Sequence, residues 1–253
     1  MPNANHSLNW TDPRADASMA SPELPIATRA HFIGFLLIGV AVAAMGFMAQ
    51  HAPSASGAAA GQLAAHGQAV KIYLTAIVMD WAMLYYYWGG VHKRGGGLRT
   101  LMGERWRSVR ALMTDVGIGL ASWIAIEAAA FGVTWLLGPN SARSVDSLLP
   151  KSVLEVLVWT AACVTAGVCE ELGFRGYVQR QLRAFTGSTA LAVVGQGLVF
   201  GLFHLYQGWK NVIVIASIGI LYGLLAAWRG NLRANVVGHA VMDFWEGWLK
   251  FVV

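Results

Sequence analysis

Seven mostly apolar stretches alternate with shorter polar segments along the chain: Phe32 to Gln50, Ala69 to Val91, Val116 to Leu137, Ser152 to Val178, Ala190 to Tyr206, Val212 to Trp228 and Leu232 to Val253. A run of about 20 apolar residues satisfies its own backbone groups as a helix and crosses the hydrocarbon of a bilayer. The pattern predicts an all-α fold, a polytopic membrane helical bundle of about seven transmembrane helices. The fourth stretch is longer than a span needs, and Arg175, Arg180 and Arg183 make its end amphipathic, so that end is expected to project into the headgroups. Residues 1–28, with Pro13, Pro22 and Pro25 and no periodicity, are expected to form a flexible cytoplasmic tail. Residues 29–151 would carry transmembrane helices 1–3, and residues 152–253 a four-helix core of transmembrane helices 4–7.

Composition agrees: 56 % of the 253 residues are hydrophobic and 12 % charged, which excludes an ordinary soluble enzyme. The net charge of +5 does not point to nucleic acid, because basic residues in a membrane chain collect in cytoplasmic loops. The eighteen Lys and Arg residues divide thirteen to five between alternate sides, which places the N-terminus in the cytoplasm of a multi-pass integral membrane protein. The basic loop His92 to Arg110, with Trp106, is read as a cytoplasmic segment, better taken as a topology signal than as a headgroup-binding site, and His51 to Gln68 as an external loop. Cys163 and Cys169 read as small packing residues on different faces of one helix.

An ionisable side chain inside a span needs a partner, a wet cavity or a function. Asp80 and Glu127 stand alone on their helices and read as structural, the former near Tyr85, Tyr86 and Tyr87. The second half of the chain holds three clusters: Glu170-Glu171 with Arg175, Phe200 with His204, and His239 with Asp243. Helical spacing pairs Glu171 with Arg175 and leaves Glu170 free to face a cavity. With a turn at Gly187, Glu170 and His204 are each seventeen residues from it, hence at one level, about 25 Å along antiparallel helices. A second turn at Gly230 brings His239 to a similar depth, and the count suggests a pocket opening inward. Gly197 with Gly201, and Gly219 with Gly223, have the spacing that lets membrane helices approach closely.

Peptide hydrolysis needs an activated water, an oxyanion donor and a proton for the leaving amine. Glu170 and His204 could activate the water, and His239 could donate to the oxyanion. No Ser or Cys is clearly paired with the histidines. The same set, Glu170, His204, His239 and Asp243, is also a candidate group of ligands for a divalent metal such as zinc, although no His-Glu-x-x-His run is present. Competing classes are an ion- or proton-coupled transporter and a non-catalytic membrane scaffold or bacteriocin-immunity factor.

The three clusters, in this order, resemble the signature of the CAAX-protease and bacteriocin-processing (CPBP, or ABI) family of intramembrane proteases. The resemblance implies an endopeptidase acting on peptides or membrane-associated proteins through a cavity open to the cytoplasmic leaflet. It implies that Glu170 and His204 activate water and that His239 and Asp243 support the oxyanion; Glu171 and Arg175, paired by their spacing, are read as structural, fixing the fourth helix. Asp243 departs from the Asn found in eukaryotic prenyl-protein members, so it must be protonated, orient His239 or bind a metal. Family members are described both as metalloproteases and as glutamate-dependent enzymes. The compact chain and its Gly-rich basic loop look more like a bacterial member, which suggests an inner-membrane location.

Overall fold

The computed structural model describes residues 24–51, 62–138 and 149–252. Its helices are α1 (Arg29–His51), α2 (Gln62–His92), α3 (Leu98–Met102), α4 (Val109–Leu137), α5 (Val153–Glu170), a π-helical segment (Glu171–Val178), α6 (Gln179–Thr186), α7 (Thr189–Phe203), a 3-10 turn (Leu205–Gln207), α8 (Trp209–Arg229) and α9 (Arg233–Val252). Each expected span falls on one of these rods, and no strand occurs among the described residues. Among the described residues four rods are long and apolar enough to cross a membrane: Arg29–Met48, Val109–Leu137, Val153–Thr186 and Trp209–Arg229. The α7 helix is apolar but shorter, and α2 and α9 carry the polar positions that line the interior. Outward-facing Leu37, Val78, Ile124, Leu157, Leu198 and Leu224 are exposed in the bare chain, as expected where lipid replaces water.

Local chemistry sets the ends of the rods. Ser108, Ser152 and Ser188 each accept the backbone N–H of the third residue beyond, capping α4, α5 and α7. Gly187 and Gly230 take left-handed conformations at the ends of α6 and α8, at the two turns expected from the sequence. The overlong fourth span is a single rod running from Val153 to Thr186 through the π-helical segment.

Three expectations for the connections change. The tail is held at its end: Gln181 donates to the Ala27 carbonyl at 2.8 Å and accepts the Ala27 N–H at 3.1 Å, so this part packs against α6. Its first 23 residues lie outside the described residues. The external loop is shorter than expected, because α2 already begins at Gln62. The basic loop folds under the bundle as α3, with Leu101 buried and Met102 accepting the Leu232 N–H at 3.0 Å.

Packing brings the rods around one interior. The α5 helix lies between α2 and α9, α9 against α4, and α7 against α8 with α1 beside it. A Cβ on Gly219 would lie 2.9 Å from Gly197 Cα, and one on Gly201 would lie 2.9 Å from Ala216 N, so the two small-residue pairs do bring α7 and α8 into backbone contact. The buried Gly219 carbonyl then accepts Gln196 Nε2 at 2.7 Å and Arg175 Nη2 at 3.3 Å, joining α8 to α7 and to the π segment.

Candidate active site

The first cluster straddles a change of helical pitch. Glu170 is the last α-helical residue of α5, and Glu171 opens the eight-residue π segment. Such wider turns are rare and are frequent at functional sites. Small residues in it let neighbours close in: Gly173 faces the Tyr87 ring and Gly176 faces Leu101.

Glu171 and Arg175 pair as the spacing predicts, with Nη1 at 2.9 Å from Oε1 and both side chains fully buried. Sequence reasoning missed what else this carboxylate holds. His239 Nδ1 donates to Oε1 at 2.8 Å and Asn235 Nδ2 donates to Oε2 at 3.1 Å. A sequence signal for Asn235 existed, because Asn235, His239 and Asp243 recur every fourth residue on one face of α9. Tyr222, whose ring stacks on His239 at 5.7 Å between centroids, left no such signal.

With Nδ1 occupied, His239 turns Nε2 toward Glu170 and Asp243, whose nearest oxygens lie at 3.7 and 3.6 Å. His204 caps the end of α7 rather than lying within the helix, and its Nδ1 is 2.8 Å from the Phe200 carbonyl. A carbonyl only accepts, so Nδ1 carries a proton and Nε2 is the nitrogen left to face the cavity. Phe200 links the groups: its ring packs on Phe174 and His204 at 4.8 Å each, on His239 at 6.0 Å, and beneath the Arg175 guanidinium at 4.5 Å.

Glu170, His204, His239 and Asp243 line one cavity of about 1670 Å³. Asp80 and Glu127 line it too, so they belong to the interior around the site rather than to isolated packing positions. The tyrosines beside Asp80 bond elsewhere, Tyr87 to the Cys169 carbonyl and Tyr86 to the His31 carbonyl. Cys163 and Cys169 are buried, and both border the cavity despite their expected separation on different faces. Phe131, 74 % exposed, and the exposed Ile72 and Met79 also line it, so the cavity is open to its surroundings. The helices before residue 152 therefore wall the site as much as the four-helix core does.

The cavity is offset along the bundle. It takes in Glu127 to Thr134 of α4, the last turn of α7, Asn211 to Ile218 of α8 and His239 to Glu246 of α9. These parts lie toward the end that carries Lys71, Lys151 and Lys210, whereas Arg94, Arg99, Arg180, Arg183, Arg229 and Arg233 gather at the other end. The inward-opening pocket and the cytoplasmic arginines were both expected, and the two do not go together. The count of residues from the turns gave a depth but not a direction, and it omitted the walls from α2 and α4.

Among the described residues no three His, Cys, Asp or Glu side chains converge as a metal-binding group. Glu171 engages one nitrogen of His239, and the other lies 3.7 Å from a Glu170 oxygen and 3.6 Å from an Asp243 oxygen.

An all-helical chain with rods fit to cross a bilayer and an acid–imidazole cluster in its interior defines an integral membrane protein with an internal polar site. Residues 152–245 match the family model described as type II CAAX prenyl endopeptidase Rce1-like, the segment that carries all three clusters. The resemblance to the CPBP proteases thus stands on the whole motif-bearing segment. No curated protein and no solved structure matches the chain.

Proposed function

We propose that the protein is an intramembrane endopeptidase that hydrolyses peptide bonds with a water activated by Glu170 and His204. The observation that carries this reading is the grouping around His239 Nε2, which lies 3.7 Å from Glu170 and 3.6 Å from Asp243 in a cavity that His204 also lines. The family match supports a CAAX-protease-like hydrolase.

The Nε2 lone pair of His204 orients a water, and the Glu170 carboxylate takes its proton as the oxygen attacks the scissile carbonyl carbon. The tetrahedral oxyanion forms beside His239. With Nδ1–H held by Glu171, His239 in its imidazolium form also carries a proton on Nε2 and donates it as a hydrogen bond to the oxyanion. Asp243 cannot donate as a carboxylate, and its place one turn along α9 makes it a charge partner for that imidazolium. Collapse breaks the C–N bond, and Glu170 returns its proton to the leaving amine. Glu171, Arg175 and Asn235 are positioning residues.

Purified protein in lipid nanodiscs, incubated with a peptide library and read by mass spectrometry, tests the proposal. Cleavage by the wild type and its loss in folded Glu170→Ala and His204→Ala variants are expected. Equal cleavage by either variant refutes it.

A further inference from the structure

The net charge of the chain sits in one connection. Residues 93–110, between α2 and α4, hold six Lys and Arg against one acid, Glu104, and the rest of the chain carries twelve basic and twelve acidic side chains. A topology signal needs these charges only to lie on one side of the membrane. The fold also displays them. Lys93, Arg94, Arg99, Arg105 and Arg110 are exposed, and their side chains have neither a hydrogen bond nor an ion pair among the described residues. Arg107 reaches Glu104 at 3.8 Å, with both side chains largely in solvent. The inner cations of the same end are neutralised within the fold, Arg229 and Arg233 by Asp115 and Arg175 by Glu171.

The displayed cations stand on a fixed platform. Leu101 is buried, the Met102 carbonyl accepts the Leu232 N–H at 3.0 Å, the Glu104 carbonyl accepts Arg233 Nη1 at 2.9 Å, and the Trp106 indole donates to Asp115 at 2.8 Å. Gly95 and Gly103, at φ +82° and +94°, turn the chain into and out of α3. Holding like charges together in this way opposes the fold. Arg110 adds to the cost, because it lies in the first turn of α4, where the helix dipole disfavours a cation and no acid is present. An external anion would relieve both penalties.

The neighbours of the platform give the level at which that anion is met. The α2 helix ends at His92 and α4 begins at Val109, so the platform directly adjoins the bundle. Trp228 is exposed in the last turn of α8, with the Arg229 guanidinium 5.5 Å from its ring centre, and exposed Leu98, Trp106 and Val109 stand among the cations. Tryptophan beside arginine marks the headgroup layer, and apolar side chains mixed with cations suit a lipid rather than a soluble acidic partner. We propose that residues 93–110 form a docking site for anionic phospholipid, the cations receiving the headgroup phosphates and Leu98, Trp106 and Val109 meeting the acyl-chain boundary. The proposal is independent of the endopeptidase reading.

Native mass spectrometry of the purified full chain in a non-ionic detergent, titrated with phosphatidylglycerol or phosphatidylcholine, tests it. The first phosphatidylglycerol is expected to bind about tenfold tighter, roughly 1.4 kcal/mol. Arg105→Gln with Arg107→Gln and Arg110→Gln should bring the two affinities within about twofold, while Lys at the same three positions should keep the ratio. If the triple Gln variant is not monodisperse, Lys93→Gln with Arg94→Gln gives the readout and should lower the ratio. Lys71→Gln with Lys151→Gln, at the other end of the bundle, should leave it unchanged. Equal affinities, a ratio insensitive to the platform variants, or one lost equally with the far-end pair overturns the proposal. Displacement of the lipid by millimolar inorganic phosphate, or by a Glu-rich nonapeptide at the lipid's own concentration, also overturns it, assigning the surface to a free anion or to an acidic protein.

Discussion

His239 Nδ1 and Glu171 Oε1 are 2.8 Å apart, and the same carboxylate oxygen receives Arg175 Nη1 at 2.9 Å. One acid thus serves both the helix that bears it and the imidazole opposite. Replacing Glu171 by Gln leaves Arg175 buried without a counter-charge and should cost about 3–5 kcal/mol of stability. Replacing Glu171 and Arg175 together by Leu removes both charges and should restore much of that stability, as read by denaturant titration. Turnover should stay low in the double variant, because His239 has lost the acceptor that fixes its ring.

Asp115 fastens the arginine-rich end of the bundle. Its carboxylate takes Arg229 Nη2 at 2.7 Å, Arg233 Nε at 2.8 Å and the Trp106 indole N–H at 2.8 Å. Asp115→Asn keeps the shape but removes the charge, and should lower stability by about 2–3 kcal/mol. The expected signature is a lower unfolding midpoint with little change in peptide binding at the distant cavity.

The α7–α8 seam predicts a steric effect. A side chain at Gly219 meets Gly197 backbone atoms at 2.9 and 3.2 Å, and backbone cannot swing aside as a flexible side chain can. Gly219→Ala should destabilise by about 1–3 kcal/mol. Gly117, with open space around its Cβ position, is the control and should show no steric penalty on substitution by Ala.

The offset of the cavity predicts its accessibility. If the arginines lie on the cytoplasmic side, as the positive-inside rule expects, a cysteine placed by Gln68→Cys, at the cavity's edge, should react with a membrane-impermeant maleimide in intact cells of a bacterial expression host. An alkaline phosphatase fused after α9 should be active. Labelling only after the cells are broken would place the chamber on the cytoplasmic side.

The proposed chemistry uses groups of the chain alone. Cleavage by protein dialysed against a strong chelator should match that of untreated protein, with metal content followed by mass spectrometry. Loss of activity that returns on adding zinc would replace the glutamate mechanism with a metal-dependent one.

Much of this architecture was legible in the sequence where the signal is local. Runs of apolar residues located the rods, and Gly187 and Gly230 marked the turns. Four-residue spacing paired Glu171 with Arg175 and stacked His239 over Asp243. The unread parts depend on how separate rods meet. Asp80 and Glu127 looked solitary because the acids that share their cavity lie on other helices. Asp115 is 114 residues from Arg229, and Gln181 is 154 from Ala27, distances over which no periodicity carries information. The π segment is hidden for another reason: the order of polar and apolar positions from Glu171 to Val178 does not distinguish a π turn from an α turn.

That segment also governs which insertions and deletions the chain can accept. A π turn is an α turn carrying a surplus residue, so it can give up one position and return to ordinary pitch while the rod beyond keeps its phase. A single deletion there should spare the contact between Gln181 and Ala27 at the far end of the same rod, whereas an equal deletion in the α-helical stretch before Glu170 would turn that end by about 100° and break it. The surplus residue thus makes this stretch the one place in the rod where a change of length can be absorbed.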